Sequence, residues 1–598
     1  MNDAAIGLPE GLLRDVHLAG VLGWGDVHVA QKVSHLFGVT DQRVQLALAL
    51  TVRALRDGST CLELDEVASA RYVTDSESVA TLPQAAWPEP DAWVDALLAS
   101  PMVNAGPDAA GVRPLRLVGR RLHLERYWGQ ESTVAAELLA RRPAPAGAVD
   151  ADRLTAAARD LLREAVDPEQ AAATVVPLFT GVSVIAGGPG TGKTHTVARV
   201  LGMLLRTSDR PLLIGLAAPT GKAAARMDEA LSRAAAGLPD DVAAQLGGLH
   251  ATTIHRLLGW VPESRNRFRH HGGNPLPHDV VVVDEASMVS VTLMARLLEA
   301  LRPSARLVLV GDPDQLSPVE AGAVLADIVA APVHPVPGLD ESLAALGLPA
   351  TGAVARLRHN HRSEQDIATL AEAVLAGDTD RVVELATAGS AGVRFAPTPE
   401  ESGLRERAVN TGVAMVAAAR RGAVEEALAR LDAHRLLCAH RHGPYGVALW
   451  SRQVEDWLAA ELGDLDPTRQ WYAGRPVLVT QNSSELGLFN GDTGVAVLGH
   501  GQLRVHFARG RTSRAVSPFL LDAVQTVHAM TVHKAQGSQF GEVSLILPEP
   551  GSPLLTRELL YTAITRAEHR VNLIGSVDAL VEAVQRPARR ASGLRDRL

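Results

Sequence analysis

Lysine, cysteine and aromatic residues are scarce in this 598-residue chain. Its two cysteines, Cys61 and Cys438, stand far apart, which excludes a disulfide framework and a cysteine-built zinc site. Four lysines, Lys32, Lys193, Lys222 and Lys534, stand among 58 basic residues, so arginine carries most of the positive charge. A compact ammonium and a planar guanidinium do different jobs, so a retained lysine carries information. Three of the four fall inside motifs. The net charge of −9 excludes a uniformly basic nucleic-acid binder but leaves room for a basic channel. No apolar run reaches the roughly 20 residues needed to span a bilayer. The start MNDAAIGLPEGLLRDV has no basic region followed by an apolar core. A soluble, cytoplasmic protein is expected.

Hydrophobic residues make up 46% of the chain, ample for buried cores, and the length predicts roughly three or four domains. Residues 1–150 read as a helical domain, with apolar residues at helical spacing in DVHVAQKVSHLFG and RVQLALALTVRAL. A Pro/Ala/Gly stretch at 141–153 reads as a linker. Beyond it, short runs apolar on both faces alternate with amphipathic helices: VSVIAG, PLLIGLAAP, DVVVVDEA and ARLVLVGD, then HRLLCAHR, EVSLILPE and HRVNLIGS. That alternation predicts parallel α/β sheets, one over 151–345 and a second over 346–598. The stretch at about 475–520 differs. Its alternating short strands and Asn-Gly and Gly-Gln turns predict a small, SH3-like β-barrel inserted into the second unit.

GGPGTGKT, Gly187 to Thr194, matches the phosphate-loop pattern, preceded by a strand and opening a helix. Its glycines let backbone N–H groups curl around phosphates; Lys193 reaches the outer phosphates and Thr194 binds Mg²⁺. In VVVDEASM, Asp284 ends an apolar strand where it can hold Mg²⁺ through water. Glu285 beside it can deprotonate the attacking water. In LVGDPDQLSPVEAG, Gln315 sits where an amide could sense the γ-phosphate. Arginine stabilises charge in phosphoryl transfer. Taken singly, Arg362 in RLRHNHRSEQ and Arg566 in YTAITRAEHR do not stand out among so many arginines.

These segments, together with APTGKAAARM, ATTIHRLLG, TVHKAQGSQF, LCAHRHGPYG and GLFNGDTG, occur in an order that resembles the superfamily 1 helicases of the RecD branch. The resemblance covers about 165–575. The length and plain N-terminal region resemble the RecD subunits of RecBCD complexes (exodeoxyribonuclease V) more than the longer stand-alone RecD-type helicases.

The resemblance implies two RecA-like domains and an ATP-dependent 5′–3′ DNA helicase. It implies RecB and RecC as partners, the nuclease centre on RecB, and a docking role for residues 1–150. It makes Gln170 the adenine reader, the stretch Gly187, Gly188, Pro189, Gly190, Thr191, Gly192, Lys193, Thr194 and His195 the ATP cradle, and Arg362 and Arg566 the arginines that cross from the second domain. Gly537 and Ser538 would lie near the nucleotide. Pro219, Thr220, Lys222, Thr253, His255, Thr531 and His533 would meet single-stranded DNA. Residues 260–279, with Arg265, Arg267, Phe268 and Arg269, would form a pin at the duplex junction. Two other readings stay open: a stand-alone helicase, and a regulatory subunit that binds ATP without moving. YWGQE (127–131) is expected either at a domain junction or in a core.

Overall fold

The computed structural model describes residues 9–73, 79–80, 87–142, 149–162, 167–261, 267–360, 365–466, 468–483, 485–509 and 512–598. Two parallel sheets dominate it. The first has six strands in the order Val354–Leu357, Val182–Gly187, Arg306–Gly311, Val280–Val283, Ile214–Ala218 and Ala251–Thr253. All are parallel. Val280 to Val283 are fully buried, as a central strand covered on both faces must be. One face packs on Leu201, Leu204 and Val308, the other on Leu298, Leu307 and Leu309. The second sheet runs Val393–Ala396, Ala567–Ile574, Phe540–Ile546, His434–Cys438 and Ala529–Thr531, also all parallel. Both sheets therefore gather their loops at one edge, where ligands of such sheets bind.

Two boundaries differ from the sequence reading. The strand Val354–Leu357 lies beyond residue 345 yet pairs with Val184 to Gly187 of the first sheet. It carries an exposed arginine between buried neighbours, so it lacks the continuous apolar run that marked the other strands. The stretch Pro476 to Thr526 forms a five-stranded antiparallel sheet, a few residues longer than 475–520. One of its hairpins closes at Gly499↔Gln502. His500 (φ 49°) and Gly501 (φ 75°) are both left-handed there, the geometry of a tight two-residue turn.

The N-terminal region is not purely helical. Helices Gly11–Leu18, Trp24–Leu36 and Gln42–Arg56 pack with a four-stranded sheet ordered Cys61–Glu63, Arg121–Leu124, Leu115–Val118 and Val103–Ala105. Strands of three or four residues are too short for alternation to register against the helical pattern around them. Buried Trp93 anchors this region, its indole N–H donating to the Arg43 carbonyl at 2.8 Å.

YWGQE lies at a junction. Its helix, Glu125–Ala140, buries Val134, Ala135 and Leu138 in the core of the first sheet. Gln130 accepts from Thr292 at 2.8 Å. The end of the chain crosses back from the second sheet to the same place. Leu594 enters the first sheet's core, Ala591 accepts from Thr60 N at 2.8 Å, and Arg597 lies 3.4 Å from the Trp128 ring centroid. Fully buried Glu131 is the common acceptor. It takes bonds from Thr60 Oγ1 (2.5 Å), Ser592 Oγ (3.0 Å) and Gly593 N (3.1 Å), and pairs with Arg597 at 3.1 Å. Removing one partner of a buried charge pair costs about 3–5 kcal/mol. Glu131→Ala is therefore expected to loosen the tail and speed tryptic cleavage at Arg589 and Arg590 at least tenfold. Cleavage at the wild-type rate would show that the tail is held elsewhere. Among the described residues, no helix is long and apolar enough to cross a membrane.

Candidate active site and nucleic-acid interface

The phosphate loop leaves the strand Val182–Gly187 and enters the helix Lys193–Thr207. Gly190 (φ 84°) and Gly192 (φ 79°) turn it through the left-handed region, which a side chain would strain. The loop is also too tight for side chains. A Cβ at Gly187 would meet Thr191 Oγ1 at 2.7 Å, and one at Gly192 would meet Gln170 Nε2 at 2.5 Å. Lys193 Nζ donates to the carbonyls of Gly187 (2.7 Å) and Gly188 (2.8 Å), Thr191 Oγ1 to Gly188 (2.8 Å), and Gln170 Nε2 to Thr191 (3.0 Å). Gln170 is buried on the helix Pro168–Phe179, directly behind the loop. Thr194 lies on the first turn of the loop's helix and His195 is exposed there. The helix has its N-terminal N–H groups and dipole behind the glycines, a cradle fitted to polyphosphate.

Two strands of the first sheet end in acids beside this loop. Asp284 follows Val280–Val283, and burial together with neighbouring Glu285 pushes its carboxyl up, opposed by the Lys193 charge. A strand-end carboxylate is an oxygen ligand of the kind Mg²⁺ takes alongside water and phosphate oxygens. Glu285 is one of two described non-glycine residues with left-handed backbone, φ 52° and ψ 40°. Such strain persists where the surroundings fix it, commonly at functional sites. Asp312 follows Arg306–Gly311 and is buried. Burial pushes its carboxyl up to about 6, with Lys193 pulling the other way. Gln315 Nε2 donates to Asp312 Oδ2 at 2.7 Å.

The second sheet's unit brings Arg566, which is 2% exposed, into the same region. Its guanidinium donates to the Thr562 carbonyl (3.1 Å), the Ser538 carbonyl (3.2 Å) and Thr565 Oγ1 (3.3 Å). Burial lowers its pKa, and the charges of Glu285 and Asp312 across the cleft raise it. Gly537 lies so close that a Cβ there would stand 3.8 Å from Glu285 Oε1. Pro189 and Gly190 of the loop share a pocket with Asn360, Gln539, Thr565 and Glu568. Arg362 lies outside the described residues. Three residues that sequence reasoning did not single out join the site: Asp312, Tyr561 and Gln536. Asp312 had a visible signal, since it ends a strand as Asp284 does.

The residues expected to meet DNA fall on two matched turns and one contact between units. Ala251–Thr253 and Ala529–Thr531 are edge strands of their sheets, and each runs into a one-turn helix. Thr253 caps the first by accepting from Arg256 N at 3.2 Å, and Thr531 caps the second by accepting from Lys534 N at 3.3 Å. His255 and His533 sit at equivalent positions. His255 is exposed and its ring lies 5.9 Å from Phe268. Burial, then Arg590 and Arg441, push His533 down to about 4, so it is neutral at pH 7. Thr220, after Pro219, caps Gly221–Ala235 by accepting from Ala223 N at 3.1 Å. Lys222 Nζ donates to the Gly491 carbonyl at 3.4 Å, and burial pushes it down to about 7. Phe489 lies against Gly221, so the GLFNGDTG loop meets this segment. In the expected pin, Phe268 pairs with Trp260 and His271 with Asn274. Arg267 and Arg269 are exposed there, and Arg265 lies outside the described residues.

Residues 19–123 match the model for the N-terminal domain of RecBCD enzyme subunit RecD, 170–321 an AAA domain, and 526–574 a UvrD-like helicase C-terminal domain. The chain is 47% identical to RecBCD enzyme subunit RecD of Mycolicibacterium smegmatis, over 97% of this chain and 98% of that one. It is 31% identical to the subunit of the same name from Haemophilus influenzae, over 71% of each. It is also 31% identical to the ATP-dependent RecD2 DNA helicase of Deinococcus radiodurans, over 71% of this chain but 52% of that one. The chain belongs to the RecD family.

Proposed function

We propose that this chain is the ATP-driven 5′–3′ helicase subunit of a RecBCD helicase–nuclease in the cytoplasm, drawing in the 5′-ended strand from a duplex DNA end. One observation carries the reading: the second unit closes on the first beside the glycine cradle, a Cβ on Gly537 standing 3.8 Å from Glu285 Oε1, with buried Arg566 within reach of the charges of Glu285 and Asp312. The M. smegmatis and H. influenzae relatives are named as RecBCD subunits, which supports RecB and RecC as partners.

Residues 1–150 would be the docking unit. Residues 151–345 with Val354–Leu357 would be the first RecA-like domain. The remainder to 598 would be the second, carrying the antiparallel sheet as an SH3-like barrel.

In this mechanism the N–H groups from Gly188 to Thr194 bind the phosphates, and Gln170 packs behind the loop toward the base. Thr194 and Asp284 would hold Mg²⁺, which neutralises charge on the β- and γ-phosphates when bound. Glu285 takes the proton of the attacking water. Gln315 senses the γ-phosphate, while Arg566 and Arg362 stabilise the charge that spreads over it. Loss of that charge releases the second domain. Thr220, Lys222, Thr253 and His255 on one side, with Thr531 and His533 on the other, then alternate their hold on the strand. The nuclease centre lies on RecB.

The test is unwinding of 5′-tailed and 3′-tailed duplexes by the assembly with RecB and RecC, its RecB motor inactivated. Activity on 5′-tailed DNA only, abolished by Lys193→Gln in this chain, is the expected result. Equal unwinding with Lys193→Gln would overturn the motor, and failure to co-elute with RecB and RecC would overturn the assembly.

A further inference from the structure

We infer that Tyr561 is a positioning residue that ties the second sheet's unit to the γ-phosphate sensor, holding Gln315 in place through Asp312. This rests on the reading of Gln315 as the sensor. Tyr561 lies on the helix Arg557–Ile564, 4% exposed and packed in the core of the second sheet. Its hydroxyl leaves that core and donates to Asp312 Oδ2 at 3.0 Å. The same oxygen accepts Gln315 Nε2 at 2.7 Å. One carboxylate oxygen thus joins a phenol from one unit to an amide of the other. Asp312 Oδ1 takes Asp314 N at 3.1 Å, which fixes the carboxylate from behind.

The chemistry of the relay is directional. An ionised carboxylate only accepts, so the Gln315 amide must turn its nitrogen to Asp312. Its carbonyl oxygen and second N–H are then presented elsewhere. Without a second donor on Oδ2, the carboxylate can rotate and the amide follows it.

The second unit also grips the next residue by both backbone groups. Leu316 N donates to Thr562 Oγ1 at 2.9 Å, and Gln536 Nε2 donates to Leu316 O at 2.5 Å. A Cβ built on Gly188 would lie 2.8 Å from the Tyr561 oxygen, so that oxygen also stands against the phosphate loop. Moving the units apart withdraws Tyr561, Thr562 and Gln536 together. The sensor is then aligned only when the units are closed, which makes hydrolysis depend on that closure.

Tyr561→Phe removes one hydroxyl and keeps the ring. Measured with single-stranded DNA, kcat for ATP hydrolysis should fall about tenfold, a hydrogen bond's worth of alignment, with KM for ATP within twofold. Asp312→Asn combined with Tyr561→Phe should be no slower than the slower single variant, since both act through one oxygen. Gln315→Ala, expected to lose at least 10²-fold, separates the two ideas. If Gln315→Ala is slow but Tyr561→Phe is within twofold of wild type, the relay is overturned and the sensor stands. If Gln315→Ala is also unaffected, the sensor reading falls and takes the relay with it. Losses that add in the double variant, or a loss seen in KM alone, would assign Tyr561 to packing and overturn the proposal.

Discussion

Arg566→Ala should lower kcat for DNA-stimulated ATP hydrolysis by about 10³-fold, the size found for arginines that stabilise phosphoryl-transfer charge, while ATP binding stays within a few fold. The argument is one of placement. The side chain is buried, and the three oxygens it donates to among the described residues, the Thr562 and Ser538 carbonyls and the Thr565 hydroxyl, belong to its own unit. Those contacts hold the guanidinium rigid. Its charge meanwhile lies across the cleft from Glu285 and Asp312. A cation fixed before the reaction costs no reorganisation during it. Binding is spared because the loop, Lys193 and Gln170 belong to the other unit. Arg566→Lys is the companion. It keeps the charge, but one ammonium cannot replace a fork that already meets three oxygens, so it should still lose at least about tenfold. Single-turnover hydrolysis with ATP binding measured separately checks both. A fall below tenfold for Arg566→Ala would remove it from the reaction.

Local chemistry was legible in the sequence where function and strand pattern coincide. The phosphate loop, Asp284 and Glu285 each end an apolar run, so strand, turn and reactive group could be read together, and the structure places all of them at one edge of the first sheet. What stayed hidden depends on contacts distant in sequence. Tyr561 and Asp312 are 249 residues apart, and nothing in the wording of either segment announces their bond. Glu131 and Gly593 near the chain's end meet over a wider gulf, 462 residues. The N-terminal strands escaped because each is too short to repeat the two-residue alternation more than once or twice. Val354–Leu357 escaped because Arg356 interrupts its apolar pattern. Helical periodicity survives such brevity better, since a helix of two turns already repeats its apolar face.

Lys193→Gln should reduce hydrolysis by about 10²–10³-fold, the cost of one preorganised donor at developing charge, and leave the fold intact. The second half of that expectation is the sharper one, and it follows from how the loop is held. Lys193 Nζ donates to Gly187 and Gly188, so its removal takes away two bonds. The loop keeps Thr191 on Gly188 and Gln170 on Thr191, and Gly190 and Gly192 keep their left-handed turns. The strand beneath is paired on both sides, with Arg306–Gly311 and Val354–Leu357. A glutamine amide can replace one of the lost donors but carries no charge to place against phosphate. The melting temperature should therefore move by less than about 4 °C, as a loss under 1 kcal/mol would give a unit of this size. The Lys193 charge also pulls down the carboxyls of both buried acids, Asp284 and Asp312, against the burial that raises them. Without it their protonation should rise, so the acidic limb of any residual activity should move to higher pH. Turnover equal to wild type would take Lys193 out of the chemistry. Slow turnover with a fall of many degrees in melting temperature would instead make it a brace of the loop.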